Sequence, residues 1–63
     1  MRINRVKFAA ALARLDLNGK QLAEKAGVSR GTVTAVRTGK SCSKETANKL
    51  AEVLGRSIIE DVL

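Results

Sequence analysis

The chain has no histidine, proline, tryptophan or tyrosine, and it contains one cysteine and one phenylalanine among 63 residues. One cysteine cannot form an intrachain disulfide, and without histidine it cannot complete the ligand set of a zinc finger or zinc ribbon. The near absence of aromatic rings disfavours RNA-binding sheets and single-strand platforms, which stack bases on exposed rings. We therefore expect an apolar core without metal or cofactor, in a reducing intracellular compartment.

Long apolar runs are also missing. The longest run near the N-terminus covers residues 8–12, which is far too short to span a bilayer, and no signal-peptide cleavage pattern follows it. We therefore expect one small domain over residues 1–63, with a modest core and a cytoplasmic location.

The residue combinations that carry most enzyme chemistry are absent. The sequence has no Cys/His pair, no carboxylate cluster at metal-ligand spacing and no glycine-rich phosphate loop after a strand. The protein is therefore not expected to be an enzyme.

The basic residues are concentrated in the first two-thirds of the chain. Residues 1–40 hold nine Lys and Arg against two acidic residues, whereas residues 41–63 hold three against four. General solubility would not require such an uneven distribution of the net charge of +6. A polyanion that contacts the first 40 residues is the natural partner.

Apolar residues recur at helical spacing, and no stretch alternates as a strand would. The first segment shows the i, i+3, i+4, i+7 pattern at Phe8, Ala11, Leu12 and Leu15, widened by Val6, Ala9 and Ala13. N-cap residues precede four of the expected helices: Asn4, Asn18, Ser29 and Ser43. The pattern predicts an all-α bundle of four to five short helices over residues 5–15, 19–26, 30–37, 44–54 and 58–62.

Residues 19–37, GKQLAEKAGVSRGTVTAVR, have the spacing that two short helices need where they cross at a sharp turn. Ala23 gives the first of these helices a residue without bulk at the crossing, and Gly27 accepts the positive φ of the turn. Val33 and Val36 fold the second helix back onto the first. This spacing is typical of a DNA-binding helix-turn-helix.

The chain also resembles a known family. Its segment LNGKQLAEKAGVSRGTVTAVRTGK is similar to the signature of the Cro/C1-type (lambda-repressor-like) helix-turn-helix family of phage and bacterial regulators. The downstream segment SKETANKLAEVLG resembles the family's fourth helix with its closing glycine. The resemblance covers roughly residues 5–60. It implies a sequence-specific regulator that places helix 30–37 in the major groove of double-stranded DNA.

Four positions depart from the family pattern. Gly19 stands where the family often has a glutamine that grips a phosphate. Leu12 and Arg37 replace an arginine and an acid that many members pair, so neither charge is left without its partner. Cys42 replaces a proline that is frequent after the third helix.

A helical wheel separates the faces of the third helix. Val33 and Val36 point inward, and the opposite ridge consists of Gly31, Thr34, Ala35 and Thr38. The resemblance, taken position by position, implies base-edge contacts from Arg30, Gly31, Thr32, Thr34 and Ala35.

The small side chains of this ridge predict close docking in the major groove. The methyl groups of Ala35 and the threonines would face thymine methyls, and Arg30 would reach a guanine O6/N7 edge. Gly31 lowers the helix propensity by about 1 kcal/mol relative to alanine. Close approach of the helix backbone to the DNA and neutral drift both explain this glycine at the level of sequence.

Phosphate contacts are expected where helix N-termini and basic side chains coincide. The candidates are Asn18, Gly19, Lys20, Ser29, Arg37, Thr38, Lys40, Ser41, Ser43 and Lys44. Arg2, Arg5 and Lys7 are candidates for an N-terminal arm or a second phosphate strip. Each of these cations alone is also compatible with plain solvated surface.

The remaining apolar residues are assigned to packing. Phe8 is the expected core anchor, and Cys42 is expected to be a partly buried apolar residue because nothing around it would activate a thiol. The apolar end, residues 58–63, should pack partly on the first or fourth helix and can contribute to a dimer seam.

Two functions follow from these patterns. The first is a transcriptional regulator, expected to be a repressor, that binds a palindromic operator as a homodimer with half-sites about 34 Å apart. The alternative is a protein-interaction module of the same fold, such as an antitoxin or anti-repressor partner, indicated by the acidic and apolar residues 60–63. A partner that stays bound at high salt would favour the alternative.

Overall fold

The computed structural model describes residues 1–60, and most of them are helical. The elements in chain order are strand β1 (Arg2–Ile3), helices α1 (Arg5–Leu15), α2 (Gly19–Ala26), α3 (Arg30–Arg37) and α4 (Lys44–Leu54), a 3₁₀ helix (Arg56–Ile58) and strand β2 (Ile59–Glu60). The predicted fold class, a small bundle of short helices with a helix-turn-helix, is confirmed.

Each of the four α-helices begins at the polar cap that the sequence predicted. The cap side chains of Asn4, Asn18, Ser29 and Ser43 accept hydrogen bonds from the N–H groups of Lys7, Gln21, Thr32 and Thr46, at 3.0, 2.8, 3.1 and 3.1 Å. These bonds satisfy N–H groups that have no partner within the helix. The bounds of the four α-helices coincide with the predicted ones for this reason.

The core takes side chains from every helix. Phe8 is 1% exposed and is the largest fully buried side chain, as expected of a core anchor. The buried residues are Ile3, Phe8, Ala11, Leu12, Leu22, Ala23, Val33, Val36, Ala47, Leu50, Ala51, Leu54 and Ile58. Since α2 packs against both α3 and α4, the two helices of the sharp turn share one core with the rest of the chain.

The apolar stripe of α1 is narrower than the sequence predicted. Val6 is 78% exposed, Leu15 is 43% exposed, and Ala9 and Ala13 are also exposed. Its buried residues are Phe8, Ala11 and Leu12. The prediction of a wider stripe was wrong because α1 is covered from one side only, by α3, α4 and the 3₁₀ helix.

The predicted fifth helix over residues 58–62 is wrong, as is the expectation that the chain has no strand. Ile59–Glu60 form β2, which pairs antiparallel with β1 in the register Arg2↔Glu60 and Ile3↔Ile59. The β-branched Ile59 favours extended backbone, and the N-terminal segment provides a partner for it. Residues 61 and 62 of the predicted helix lie outside the described residues.

The strand pair fastens both ends of the described chain to each other. The N–H of Asn4 donates to the carbonyl oxygen of Ile58 at 2.8 Å, and the Asn4 amide donates to Glu60 Oε2 at 2.8 Å. Ile3 is 6% exposed and packs into the core. The first four residues are therefore part of the fold.

Replacing Ile3 should show how much the N-terminal strand contributes to stability. We expect Ile3→Ala to lower the free energy of unfolding by about 2–3 kcal/mol, because it removes buried apolar volume. Arg2→Ala is the matched control on the same strand, and it should change this free energy by less than about 0.5 kcal/mol. Urea unfolding followed by circular dichroism measures both. Equal stability of the two variants would show that β1 is not packed on the core.

Candidate nucleic-acid interface

A tight turn over residues 27–29 joins α2 to α3. Gly27 has φ 72° and ψ 35°, and the carbonyl oxygen of Ala23 accepts from the N–H groups of Gly27 and Val28 at 3.0 and 3.1 Å. Nothing lies within 4 Å of a Cβ built on Gly27, so the backbone conformation alone favours glycine here. Val28 is half-buried against the core and closes the turn from inside.

A polar cap fixes the start of α3. Ser29 Oγ accepts from the N–H of Thr32 at 3.1 Å and shares a second hydrogen bond of 2.8 Å with Thr32 Oγ1. Thr32 is half-buried, whereas Arg30 and Gly31 are exposed. The hydroxyl group of Thr32 is thus occupied by the cap, and this residue is the least available of the predicted base contacts.

The outward face of α3 is the one that the helical wheel predicted. Val33 and Val36 are 2% and 1% exposed and point into the core. The opposite ridge has Gly31, Thr34 and Thr38 exposed and Ala35 half-buried. The hydroxyl groups of Thr34 and Thr38 donate to the carbonyl oxygens of Arg30 and Ala35, at 3.1 and 2.8 Å. These hydroxyl oxygens can still accept a hydrogen bond, but their protons are already used.

A shallow groove lies between the start of α2 and the outward face of α3. Its lining combines phosphate and base candidates: Asn18, Gly19, Lys20, Arg30, Thr34 and Arg37, together with Val33. A Cβ built on Gly19 would lie 3.6 Å from Val33 Cγ1 and 3.9 Å from Arg37 Nη1. The guanidinium of Arg37 therefore lies beside the first turn of α2.

The open end of α2 faces this groove. Asn18 Oδ1 accepts from the N–H of Gln21 at 2.8 Å, and Gln21 Oε1 accepts from the N–H of Asn18 at 3.0 Å, which completes a capping box. The sequence interpretation identified Asn18 but missed Gln21, although the spacing N-x-x-Q was a readable signal. Because the cap uses the N–H of Gln21, the amides of Gly19 and Lys20 remain at the positive end of the helix dipole.

The loop after α3 provides a second set of polar groups. Lys40 and Ser41 are exposed, and Ser43 caps α4. Cys42 is half-buried against the core, as predicted, and its N–H donates to the carbonyl oxygen of Met1 at 2.9 Å. The N-terminal segment therefore holds the loop that follows α3.

Comparison with known proteins agrees with this geometry. A helix-turn-helix family model matches residues 8–60. The chain belongs to the Cro/C1-type helix-turn-helix family. Neither curated proteins nor solved structures gave a match. As a member of this family, the protein is a DNA-binding regulator, and the matched range contains α2, the turn, α3 and the loop to α4.

The family match begins after the three basic residues that were expected to form an N-terminal arm. The structure places all three in folded elements, because Arg2 lies in β1 and Arg5 and Lys7 lie in the first turn of α1. The side chain of Arg5 lies over the loop that follows α3. A Cβ built on Gly39 would be 3.1 Å from Arg5 Cδ and 3.3 Å from Arg5 Nε. Arg5 is thus a neighbour of the helix-turn-helix, and no sequence pattern indicated this.

One phosphate candidate lies apart from the others. Lys44, at the start of α4, lines a separate hollow with Met1, Asn48, Arg56 and Ile59. Most of the predicted DNA-contacting residues therefore lie in the groove or in the loop, but Lys44 faces a different surface.

Few charges are neutralised on the part of the chain that the structure describes. Within residues 1–60, the ion pair that forms joins Lys49 to Glu45 at 3.5 Å, on the exposed side of α4. The cations beside the groove and the loop, Lys20, Arg30, Arg37 and Lys40, are all exposed. The helix-turn-helix surface therefore presents positive charge that a polyanion can neutralise.

The described residues contain neither a cluster of metal ligands nor a helix suited to crossing a membrane. No three side chains of His, Cys, Asp or Glu gather there as metal ligands would. None of the described helices has the length and apolar character that crossing a membrane requires.

The contact between Arg5 and Gly39 makes a prediction for stability. Gly39 has φ 95°, so Gly39→Ala should lower the free energy of unfolding by about 1–2 kcal/mol from backbone strain. The added Cβ also displaces Arg5, and Arg5→Ala should therefore reduce the loss by about 0.5 kcal/mol or more. Urea unfolding of the two single variants and the double variant measures this coupling.

Lys7→Ala is the matched control, because Lys7 is exposed on the same turn of α1. It should show no coupling to Gly39→Ala. Equal coupling for Arg5 and Lys7 would contradict a specific contact between Arg5 and Gly39.

Proposed function

We propose that this regulator is a sequence-specific repressor of phage or bacterial type, which acts in the cytoplasm as a homodimer on palindromic double-stranded DNA. The observation that carries the proposal is the arrangement on one side of the turn. Thr34 of the exposed ridge of α3, the flanking Arg30 and Arg37, and the open end of α2 line a single groove. A helix of this kind enters the major groove while the preceding helix contacts the backbone.

Base recognition is assigned to the outward face of α3. Arg30 is exposed in the first turn of that helix, and its guanidinium can bond O6 and N7 of a guanine with two hydrogen bonds. Gly31, Thr34 and Ala35 lie along the same face and would contact neighbouring bases. Thr32 joins this set through its position, although its hydroxyl group is bonded to Ser29.

Phosphate contacts are assigned to the start of α2 and to the loop after α3. At the start of α2, the amides of Gly19 and Lys20 and the guanidinium of Arg37 would hold one phosphate. Arg37 would thus replace the phosphate-binding glutamine that the family often has at the position of Gly19. On the other side, Thr38, Lys40 and Ser41 would contact the backbone from the loop, with Ser43 at its far end. Lys44 faces a different surface and is not assigned to this group. Arg5 is added to this second group because it lies over Gly39.

Homodimerisation is supported by the size of the domain. Its longest dimension is 31 Å, which is close to the repeat of the major groove on one face of DNA, about 34 Å. Two copies on successive turns would contact each other with this longest axis along the duplex. The alternative function, a protein-interaction module, has less support, because Glu60 is engaged by Asn4 and by the pairing of β2.

The proposal is tested by selecting bound sequences from random or genomic DNA and by titrating variants against the selected site. Arg30→Ala should relax specificity at one base pair, with a loss of about 1–3 kcal/mol of discrimination. Lys40→Ala should weaken all sequences equally and reduce the slope of log K against log salt by about 1. Fluorescence anisotropy at several salt concentrations measures both effects.

Lys25→Ala is the matched control for Lys40→Ala. Lys25 lies at the other end of α2, in a hollow lined by Leu15, Leu17 and Val53. Its removal should leave both the affinity and the salt slope unchanged. Selection that enriches no sequence, with only weak and salt-sensitive binding, would refute sequence-specific recognition.

The dimer makes a prediction about spacing. Two half-sites whose centres are about 10 base pairs apart should bind two copies cooperatively, because both then face the same side of the duplex. Inserting about 5 base pairs rotates one half-site by half a turn and should abolish this cooperativity. A gel-shift titration with both spacings measures it, and equal, independent binding at both spacings would exclude the dimer.

A further inference from the structure

The outward ridge of α3 has an unusual chemical character for a recognition surface. We call Gly31, Thr34, Ala35 and Thr38 the methyl ridge, since its side chains end in methyl groups or in no group at all. The hydroxyl protons of Thr34 and Thr38 are donated to the carbonyl oxygens of Arg30 and Ala35, at 3.1 and 2.8 Å. The ridge therefore presents methyl groups and oxygens that accept hydrogen bonds, and its neighbours Arg30 and Arg37 supply the donors.

The fold does not require a glycine in this ridge. Gly31 is not among the residues with positive φ. A Cβ built on it would meet only Ser29 Oγ, at 3.9 Å, which is ordinary van der Waals contact. Alanine would therefore fit and would favour the helix. The fold therefore supplies no reason for this glycine, and clearance at the surface that α3 presents to its ligand would be such a reason.

The matching chemistry in DNA is a methyl group in the major groove. Thymine presents its C5 methyl and the O4 acceptor there, whereas cytosine presents the N4 amino donor and no methyl group. Methylation of cytosine at C5 adds the same methyl group at the same place. An oxygen that can only accept a hydrogen bond will bond the N4 amino group of cytosine and will not bond O4 of thymine. The methyl ridge thus complements a C5 methyl whether the base is thymine or 5-methylcytosine.

We propose that the methyl ridge recognises the C5 methyl group of pyrimidines, that 5-methylcytosine can replace thymine at these positions, and that Gly31 provides the clearance for this contact. The inference rests on the proposed binding to double-stranded DNA. It makes binding sensitive to cytosine methylation within the site. An added Cβ at position 31 would hold the helix away from the base edges.

Two comparisons change only the methyl group, thymine against uracil and 5-methylcytosine against cytosine, because the partner base stays the same within each pair. In the selected site, each thymine of one half-site is replaced in turn by uracil, by cytosine and by 5-methylcytosine, and affinity is measured by anisotropy. We expect uracil to weaken binding about fourfold at each contacted position, the value of one buried methyl group. At the same positions, 5-methylcytosine should bind at least about fourfold more tightly than unmodified cytosine, for the same reason. Thymines outside the half-sites serve as controls.

Gly31→Ala tests the clearance. It should raise the Tm, because alanine favours the helix. It should also weaken binding and bring the ratio of the affinities for the thymine and uracil sites close to one. Ala10→Gly is the matched control on the exposed face of α1. It should lower the Tm and leave both the affinity and the ratio unchanged.

The outcomes separate the two proposals. If a sequence is selected but uracil binds as well as thymine at every position, methyl recognition is refuted and sequence-specific binding stands. If Gly31→Ala raises the Tm without changing the affinity or the ratio, the role of Gly31 is refuted. If selection enriches no sequence, both proposals fail. The comparison of thymine with uracil uses the unaltered protein, so it holds even if the variant does not fold.

Discussion

The burial of Val33 and Val36 is the constraint on which the interface depends. An isolated helix of eight residues is unstable in water, because nucleation is unfavourable and too few hydrogen bonds follow it. Gly31 and the threonines of α3 weaken it further. The helix therefore exists because two valines, 2% and 1% exposed, pack into the shared core. The same packing fixes the rotation of α3 and so decides which side chains face outward.

Both ends of α3 are held by backbone geometry rather than by large side chains. Gly27 at φ 72° redirects the chain before the helix, and Gly39 at φ 95° redirects it afterwards. The loop beyond Gly39 is held by a hydrogen bond from the N–H of Cys42 to the carbonyl oxygen of Met1, and the side chain of Arg5 covers Gly39. The candidate contacts thus lie on elements that are already ordered without a ligand, which lowers the entropy lost on binding.

The features that the sequence predicted well are those decided by near neighbours in the chain. Caps act across three residues and the helical wheel across four, so the bounds of α1 to α4 and the ridge of α3 were readable. The strand pair was missed because it joins residues far apart in the chain, such as Ile3 and Ile59. The position of Arg5 was missed for a related reason, as were the hydrogen bonds that the Thr34 and Thr38 hydroxyl groups donate to backbone carbonyl oxygens. They depend on the contacts of the folded chain and not on residue type.

The electrostatics of the helix N-termini favours anion binding at the same surface that the packing presents. Acidic residues in the first turn stabilise a helix by compensating the positive end of its dipole. In α1, α2 and α3 no acidic residue occupies the first turn, whereas α4 has Glu45 there. The three helices around the groove and the loop thus lack this compensation, and exposed cations add to the positive potential. A phosphate backbone can supply the missing negative charge, so the local instability of this surface is relieved in the complex that it is proposed to form.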